Sequence, residues 1–366
     1  MKNHIIINAT ALTDGGALTI LNQFLKEIPD DEYNYIVFIA NKINIKYTQN
    51  NITLIPKNLK SFIERFLWDC FGLKKWINKK NIIPVASISL QNINFRIGYK
   101  IPNFVYFHNS IPLFKKKWNI FKSSERTFWF YKNIYPFFIR LFLNNKTEIF
   151  VQLDFIKEEF SDSFNFPKDK IHVVRPKIIS SKILDTSKPK LDYNKLNLFY
   201  PATPLIHKNH NVLLQSILLL SDEIKGKVKL YLTCEEKDLK NILSEETNQV
   251  DIVFMGQISY SKVFNMYIES DALVFPSYIE TFGLPLIESA SLGSSIIAAD
   301  LPYSREVLET YKGVNYVKYN DPKLWSEQIE LLNKNKDQIH ESLKLKNKNS
   351  WPEFFNIIKN KIQNNA

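Results

Sequence analysis

The chain has 366 residues, a net charge of +11 and 45% hydrophobic residues, a length that accommodates two domains of ordinary size. No run of 18 or more apolar residues occurs, which argues against a membrane-spanning helix. The two cysteines, Cys70 and Cys234, lie far apart; this argues against a disulfide framework and points to a reducing compartment.

Short apolar runs alternate with helical patterns along the chain, the signature of an α/β fold with parallel sheets. Met1-Lys2-Asn3-His4 leads directly into the first predicted strand, Ile5–Asn8, with no signal-peptide pattern. A turn, Asp14-Gly15-Gly16, precedes a helix whose apolar positions 17, 18, 21, 24 and 25 form one stripe. Tyr35–Ala40 is the next strand. Residues 57–147 then hold 17 Lys and Arg against three acids, Glu64, Asp69 and Glu125. Trp68, Trp76, Trp118 and Trp129 fall in the same segment, densest at Lys115-Lys116-Lys117-Trp118 and Phe128–Lys132. Basic residues attract anionic headgroups while Trp and Phe insert at the interface, so an anionic membrane surface is the expected partner. A solvated basic surface over core aromatics is the plainer alternative. No nucleic-acid module is recognisable, and no nucleic-acid partner is expected.

Phe104–Phe107, ending at His108, and Ile149–Gln152 are further strands. Phe155–Phe160 and Lys170–Val174 complete a first domain, residues 1–180. A polar linker is expected at 181–195. A second α/β series occupies 196–345, with strands at Leu198–Tyr200, Val228–Thr233, Ile252–Met255, Ala272–Phe275, Ser295–Ala299 and Val314–Lys318. Residues 346–366 carry an amphipathic helix with apolar positions 351, 354, 355, 358 and 362.

The densest chemistry follows Ala272–Phe275. Glu280 and Glu288 flank Phe282-Gly283-Leu284-Pro285. Gly283 lets the backbone approach a ligand, Pro285 suits a helix start, and Gly293 suits the position beyond its end. The N–H groups of that helix start form an anion site, and Glu288, one turn in, can accept from neutral hydroxyls beside it. A ligand with phosphates and a vicinal diol, such as a nucleotide, fits. Two solvated glutamates on a surface helix is the bland alternative.

This Glu280-x7-Glu288 arrangement resembles the donor site of retaining nucleotide-sugar glycosyltransferases of family 4, glycosyl transferases group 1. The resemblance implies a GT-B fold of two Rossmann-like domains facing a cleft, the last helix packing back toward the N-terminal domain. It implies Glu288 on the ribose, Glu280 near the donor sugar, and backbone N–H groups of Gly283 and Leu284 on diphosphate or sugar. Tyr200–His210 resembles the family's phosphate-clamp loop, with Thr203 and His207 on the donor and Lys208 neutralising the leaving diphosphate. The family's arginine five or six residues upstream has no counterpart in Ala202-Thr203-Pro204, and His207 is a stand-in candidate. His108 resembles a family histidine that contacts the donor sugar, and Gly15 and Gly16 the glycine loop near phosphate or acceptor. Arg305 and Glu306 also resemble the family, although a solvated helix start explains them as well.

No Asp-x-Asp occurs, and no cofactor or metal is expected. The implied function is hexose transfer from a UDP- or GDP-sugar to a polyprenyl-diphosphate-linked saccharide in O-antigen or capsule synthesis, at the cytoplasmic face of a membrane. A sugar-nucleotide epimerase of similar fold and a non-catalytic membrane-associated protein are the alternatives.

Overall fold

The computed structural model describes residues 3–43, 49–98, 100–178, 189–336, 338, 340–344 and 350–365. The chain divides into two compact units, Met1–Lys177 with Asn347–Ala366, and Ile178–Lys346. Of the expected linker, residues 181–188 lie outside the described residues.

The first unit is a seven-stranded parallel sheet. Its elements are β1 (Asn3–Ala9), α1 (Gly15–Glu27), β2 (Tyr33–Ala40), β3 (Ile52–Lys57), α2 (Phe62–Leu67), α3 (Leu73–Lys79), β4 (Pro84–Ser89), β5 (Asn103–Tyr106), α4 (Arg126–Asn133), α5 (Tyr135–Phe142), β6 (Thr147–Val151), α6 (Asp154–Phe164) and β7 (Ile171–Val173). A π-helical turn, Trp68–Gly72, joins α2 to α3 without a break. The strand order is β3-β2-β1-β4-β5-β6-β7. In β1, Ile5 and Ile7 face one core with Phe24 and Trp351, and Ile6 faces the other with Phe38 and Leu73. Both faces of the sheet are covered, as its parallel strands require.

The tail helix, Trp351–Gln363, belongs to this unit. Its Trp351 stacks on Tyr106 at 5.1 Å, Phe354 meets Phe150 at 4.3 Å, and the Trp351 indole N–H donates to Gln23 at 3.1 Å. Buried Glu148 of β6 accepts from Lys361 of the same helix at 2.5 Å and pairs with His172 at 2.7 Å. Burial works against the Glu148 charge, but His172 and Lys361 together hold its carboxyl below the usual range.

The second unit contains β8 (Leu196–Tyr200), α7 (His210–Leu218), α8 (Asp222–Lys225), β9 (Val228–Leu232), β10 (Asp251–Phe254), α9 (Tyr260–Glu269), β11 (Ala272–Phe275), α10 (Leu284–Ser291), β12 (Ser295–Ala299), α11 (Pro302–Val307), β13 (Val314–Val317) and α12 (Pro322–Lys334). The chain ends in α13 (Trp351–Gln363) of the first unit. The six parallel strands run β10-β9-β8-β11-β12-β13. Each sheet reverses its winding once, between β1 and β4 and between β8 and β11. Open α/β sheets bind ligands outside the carboxyl ends of the strands at such a switch point.

Strands β3 and β4 were not anticipated from the sequence. Each contains a proline that weakens a strand reading, and each has a position that tolerates it. Pro56 lies on the edge strand β3, and Pro84 is the first residue of β4. The basic segment also departs from expectation. Trp118 is buried and stacks on Phe128 at 4.7 Å, while Trp68 and Trp76 pack on Phe38 at 5.3 and 5.0 Å. These tryptophans and Phe128 serve the fold and are not presented for insertion.

Candidate functional site

In the second unit the switch point is framed by the loops after β8 and β11. The first loop ends in a 3-10 turn, Ile206–Lys208, and Asn209 follows in the left-handed region at φ 60°. Hydrogen bonds fasten this turn to the second loop. The Tyr278 N–H donates to the His207 carbonyl at 2.9 Å, and the Ser277 hydroxyl reaches the same oxygen at 3.3 Å. The Asn209 amide donates to Pro276 at 3.2 Å and to Tyr319 at 2.7 Å. The Tyr200 hydroxyl holds the Lys208 carbonyl, and the Tyr303 hydroxyl holds that of Ser277, each at 2.6 Å. Buried backbone groups are satisfied this way in two segments that have no ladder of their own.

The result brings together two residues that are 72 positions apart. The Lys208 ammonium lies 2.5 Å from a Glu280 carboxylate oxygen, with both side chains largely buried. Gly283 follows at φ 79° and caps α10; a Cβ there would meet Leu286 and Tyr303 at 3.4 Å, an ordinary contact. The left-handed conformation is what favours glycine here. Leu284 heads the helix, Pro285 has no N–H to donate, and Leu286 donates back to the Gly283 carbonyl at 3.0 Å. Gly293 ends the helix at φ 79°.

One turn into α10, Glu288 is only 4% exposed. Its two oxygens accept from the hydroxyls of Tyr260 at 2.6 Å and Tyr267 at 3.1 Å. Burial pushes the Glu288 carboxyl up, and the two tyrosine donors pull against that shift. This carboxylate is therefore already adapted to hydroxyl donors. Both tyrosines come from α9, one on each side of two helical turns, a spacing indistinguishable in sequence from an ordinary amphipathic stripe.

Thr203 is exposed on the first loop. Burial, helped by Lys208 and His210, drives the His207 imidazole down to about 3; burial and Lys208 drive His210 to about 4. Both rings are neutral near pH 7, so His207 does not supply the positive charge that the upstream arginine would have carried. Lys208 is left as the cation of this turn. Arg305 is engaged elsewhere: it grips exposed Asp300 at 2.7 and 2.9 Å and lies over Tyr316 at 3.9 Å. Among the described residues no group of three or more His, Cys, Asp or Glu is placed to hold a metal ion.

The first unit has a cavity of about 440 Å³ at its own switch point, lined by Arg65, Asp69, Gln91, Asn92, His108 and Tyr135 among others. Asp69 sits on the π-helical turn, buried; it accepts from the Asn8 amide at 2.6 Å, and both of its oxygens accept from the Gln91 amide nitrogen at 3.1 Å. Burial raises its carboxyl well above the usual range, with the Asn8 and Gln91 amides pulling the other way. Nothing in the sequence marked this cluster, whose members come from positions 8, 69 and 91. His108 reaches the cavity, but its Nε2 lies 2.8 Å from the Leu90 carbonyl and must carry the proton it donates there. Burial lowers its pKa, so the ring is a neutral, positioned group. Gly15, at φ 54°, and Gly16 open α1, with nothing within 4 Å of the Cβ that a side chain would add.

Residues 184–349 match the family described as glycosyl transferases group 1. The O-antigen chain mannosyltransferase RfbU of Salmonella typhimurium is 22% identical over 245 residues, 64% of this chain and 65% of RfbU. The match thus spans just under two thirds of that relative. Among solved structures, sucrose-phosphate synthase from Thermosynechococcus elongatus superposes with a TM-score of 0.68 at 13% identity, covering 91% of this chain and 90% of that one. The Anabaena protein HepE, solved in complex with UDP and glucose, gives a TM-score of 0.63 at 9% identity, covering 99% and 100%. The chain thus has the GT-B fold of these structures, and its likeness to glycosyl transferases group 1 lies in residues 184–349, just under half of its length.

Proposed function

We propose that this enzyme transfers a hexose from a nucleoside-diphosphate sugar to a saccharide acceptor in O-antigen or related lipopolysaccharide synthesis, with retention at the anomeric carbon. The observation that carries the reading is the buried Glu288 carboxylate, held by hydroxyl donors beside a glycine-capped helix start and the Lys208–Glu280 pair. On this reading Glu288 takes the ribose hydroxyls, and the helix start with Gly283 and Leu284 meets the diphosphate. Thr203 and His207 line the same donor loop. Lys208 turns from Glu280 toward the phosphate as negative charge develops on it, and Glu280 is then released toward the sugar.

In the transfer step the acceptor oxygen bonds to the anomeric carbon as the bond to the diphosphate oxygen breaks on the same face. The acceptor proton passes to that departing oxygen, so no protein nucleophile is required. The names of RfbU and HepE support an O-antigen setting and a uridine nucleotide, respectively. The cavity of the first unit, with amides, a carboxylate and aromatic walls, suits an acceptor sugar; His108 and the Gly15–Gly16 loop would border it. A polyprenyl-diphosphate carrier and a membrane-surface location complete the reading. Among the described residues no helix is long and apolar enough to cross a membrane.

Thermal stabilisation by UDP, GDP and their sugar conjugates tests the donor site. Stabilisation by one base that disappears in Glu288→Ala is the expected result. Equal stabilisation of wild type and variant would remove Glu288 from the site.

A further inference from the structure

The apolar residues that the basic segment does expose lie on two neighbouring helices. Phe62 of α2 meets Tyr135 and Phe138 of α5, and one turn later Phe66 meets Phe138 and Phe142. Contacts that advance together along both helices mean that the helices run parallel, side by side. Each residue turns a helix by about 100°. Ile63 and Leu67 follow the contact residues of α2, and Phe137 and Leu141 precede those of α5. On parallel helices these opposite rotations lead to the same side of the pair. Ile63 and Phe71 are each 68% exposed and Phe137 is 61% exposed, with Leu67, Ile134 and Leu141 also exposed. The opposite side of the pair carries Arg65, Asp69 and Tyr135, which line the cavity.

We propose that the outer side of α2, the π-helical turn and α5 is the surface by which this protein seats on an anionic bilayer. Charge decides between a bilayer and a protein partner. The segment 57–147 has 17 basic residues against three acids, of which Asp69 is buried, and Glu64 is the single acid exposed on the two helices. Exposed Lys60, Lys74, Lys75 and Arg140 lie in or next to the same elements. Large apolar side chains among unopposed cations match lipid interiors beneath anionic headgroups. Two helices seated in this way would form a wall between lipid and cavity, placing the cavity where a lipid-borne sugar enters. This purpose rests on the acceptor reading above; the docking itself does not.

The test is co-sedimentation of the full chain with vesicles of phosphatidylcholine alone and of phosphatidylcholine with phosphatidylglycerol. Wild type is expected to bind the anionic vesicles and to lose binding in high salt. Phe71→Ser with Phe137→Ser should weaken binding about tenfold or more with little change in melting temperature. Leu219→Ser, at an exposed position of the second unit, should bind as wild type does. If the double variant melts early, Phe137→Ser alone decides, with weakened binding expected. Wild-type protein that stays in the supernatant, or variants that bind unchanged, would overturn the proposal. So would light scattering that shows a dimer dissolved by the same substitutions while vesicle binding is unchanged, since the face would then meet a second copy. Nucleotide stabilisation is read in parallel, so a failed donor site and a failed docking surface are told apart.

Discussion

The two units solve the same problem, holding charge inside a switch point, by different means. In the second unit the charges neutralise or satisfy one another: Lys208 rests on Glu280, and Glu288 on two tyrosines. In the first unit a buried carboxyl, Asp69, is held by the neutral amides of Asn8 and Gln91, with Arg65 on the same open cavity. The difference teaches what each region is prepared for. A site with paired charges is primed for a ligand that brings its own charge and exchanges partners. A site of amides and a desolvated carboxyl is suited to neutral hydroxyls.

The strongest way to break the comparison is Lys208→Ala. Turnover with the correct nucleotide sugar should fall by roughly 10²–10³-fold, the scale of losing one electrostatic stabiliser of a developing charge. Wild-type rates would show that the pair with Glu280 only joins the two loops. Next, Trp351→Ala should cost the first unit about 3–5 kcal/mol in denaturant unfolding, because it removes a fully buried indole from between Phe24 and Tyr106. Nucleotide binding by the second unit should survive, and its loss would mean that the units do not fold separately.

Glu288→Ala should weaken nucleotide affinity by about tenfold to a hundredfold in calorimetry, the range for hydrogen bonds to a charged group. Asp69→Asn should raise the acceptor KM a few-fold and leave nucleotide affinity unchanged. A change in the reverse sense would assign the first cavity to the donor.

The smallest effect concerns acid. His207 and His210 titrate near 3 and 4 in the fold, against 6.5 in the unfolded chain. Between those values the unfolded chain binds protons that the folded one refuses, so their contribution to stability declines as pH falls from about 6.5 toward 4. His210→Phe should flatten the pH dependence of melting across that window. An unaltered slope would mean that the histidines are not protected as described.

The second unit was the more legible in sequence because its site is contiguous. A strand, a glycine forced to positive φ, a helix-starting proline and two carboxylates follow one another in 17 residues from Ala272 to Glu288. The backbone must approach a ligand there, and that demand leaves a local pattern. Lys208 was legible through its place after β8. Tyr260 and Tyr267 were not, because a tyrosine that reaches across to a carboxylate reads as one more core aromatic. The Asp69 cluster left no pattern, since three segments meet only through the strand order β1-β4 and an irregular helix. The tryptophans of the basic segment misled for the same reason: composition shows amphipathic residues but not which side of a helix they occupy.

The return of α13 to the first unit also sets an order of events during synthesis. Trp351 and Phe354 complete the core around Phe24, Tyr106 and Phe150, yet they emerge from the ribosome after all of the second unit. The nascent first sheet must wait with one face covered only in part, by α1, while the later-made sheet has every strand that it needs. The segment translated second is thus the one able to mature first, and premature termination before Trp351 would release a chain with an apolar face still exposed to chaperones and proteases.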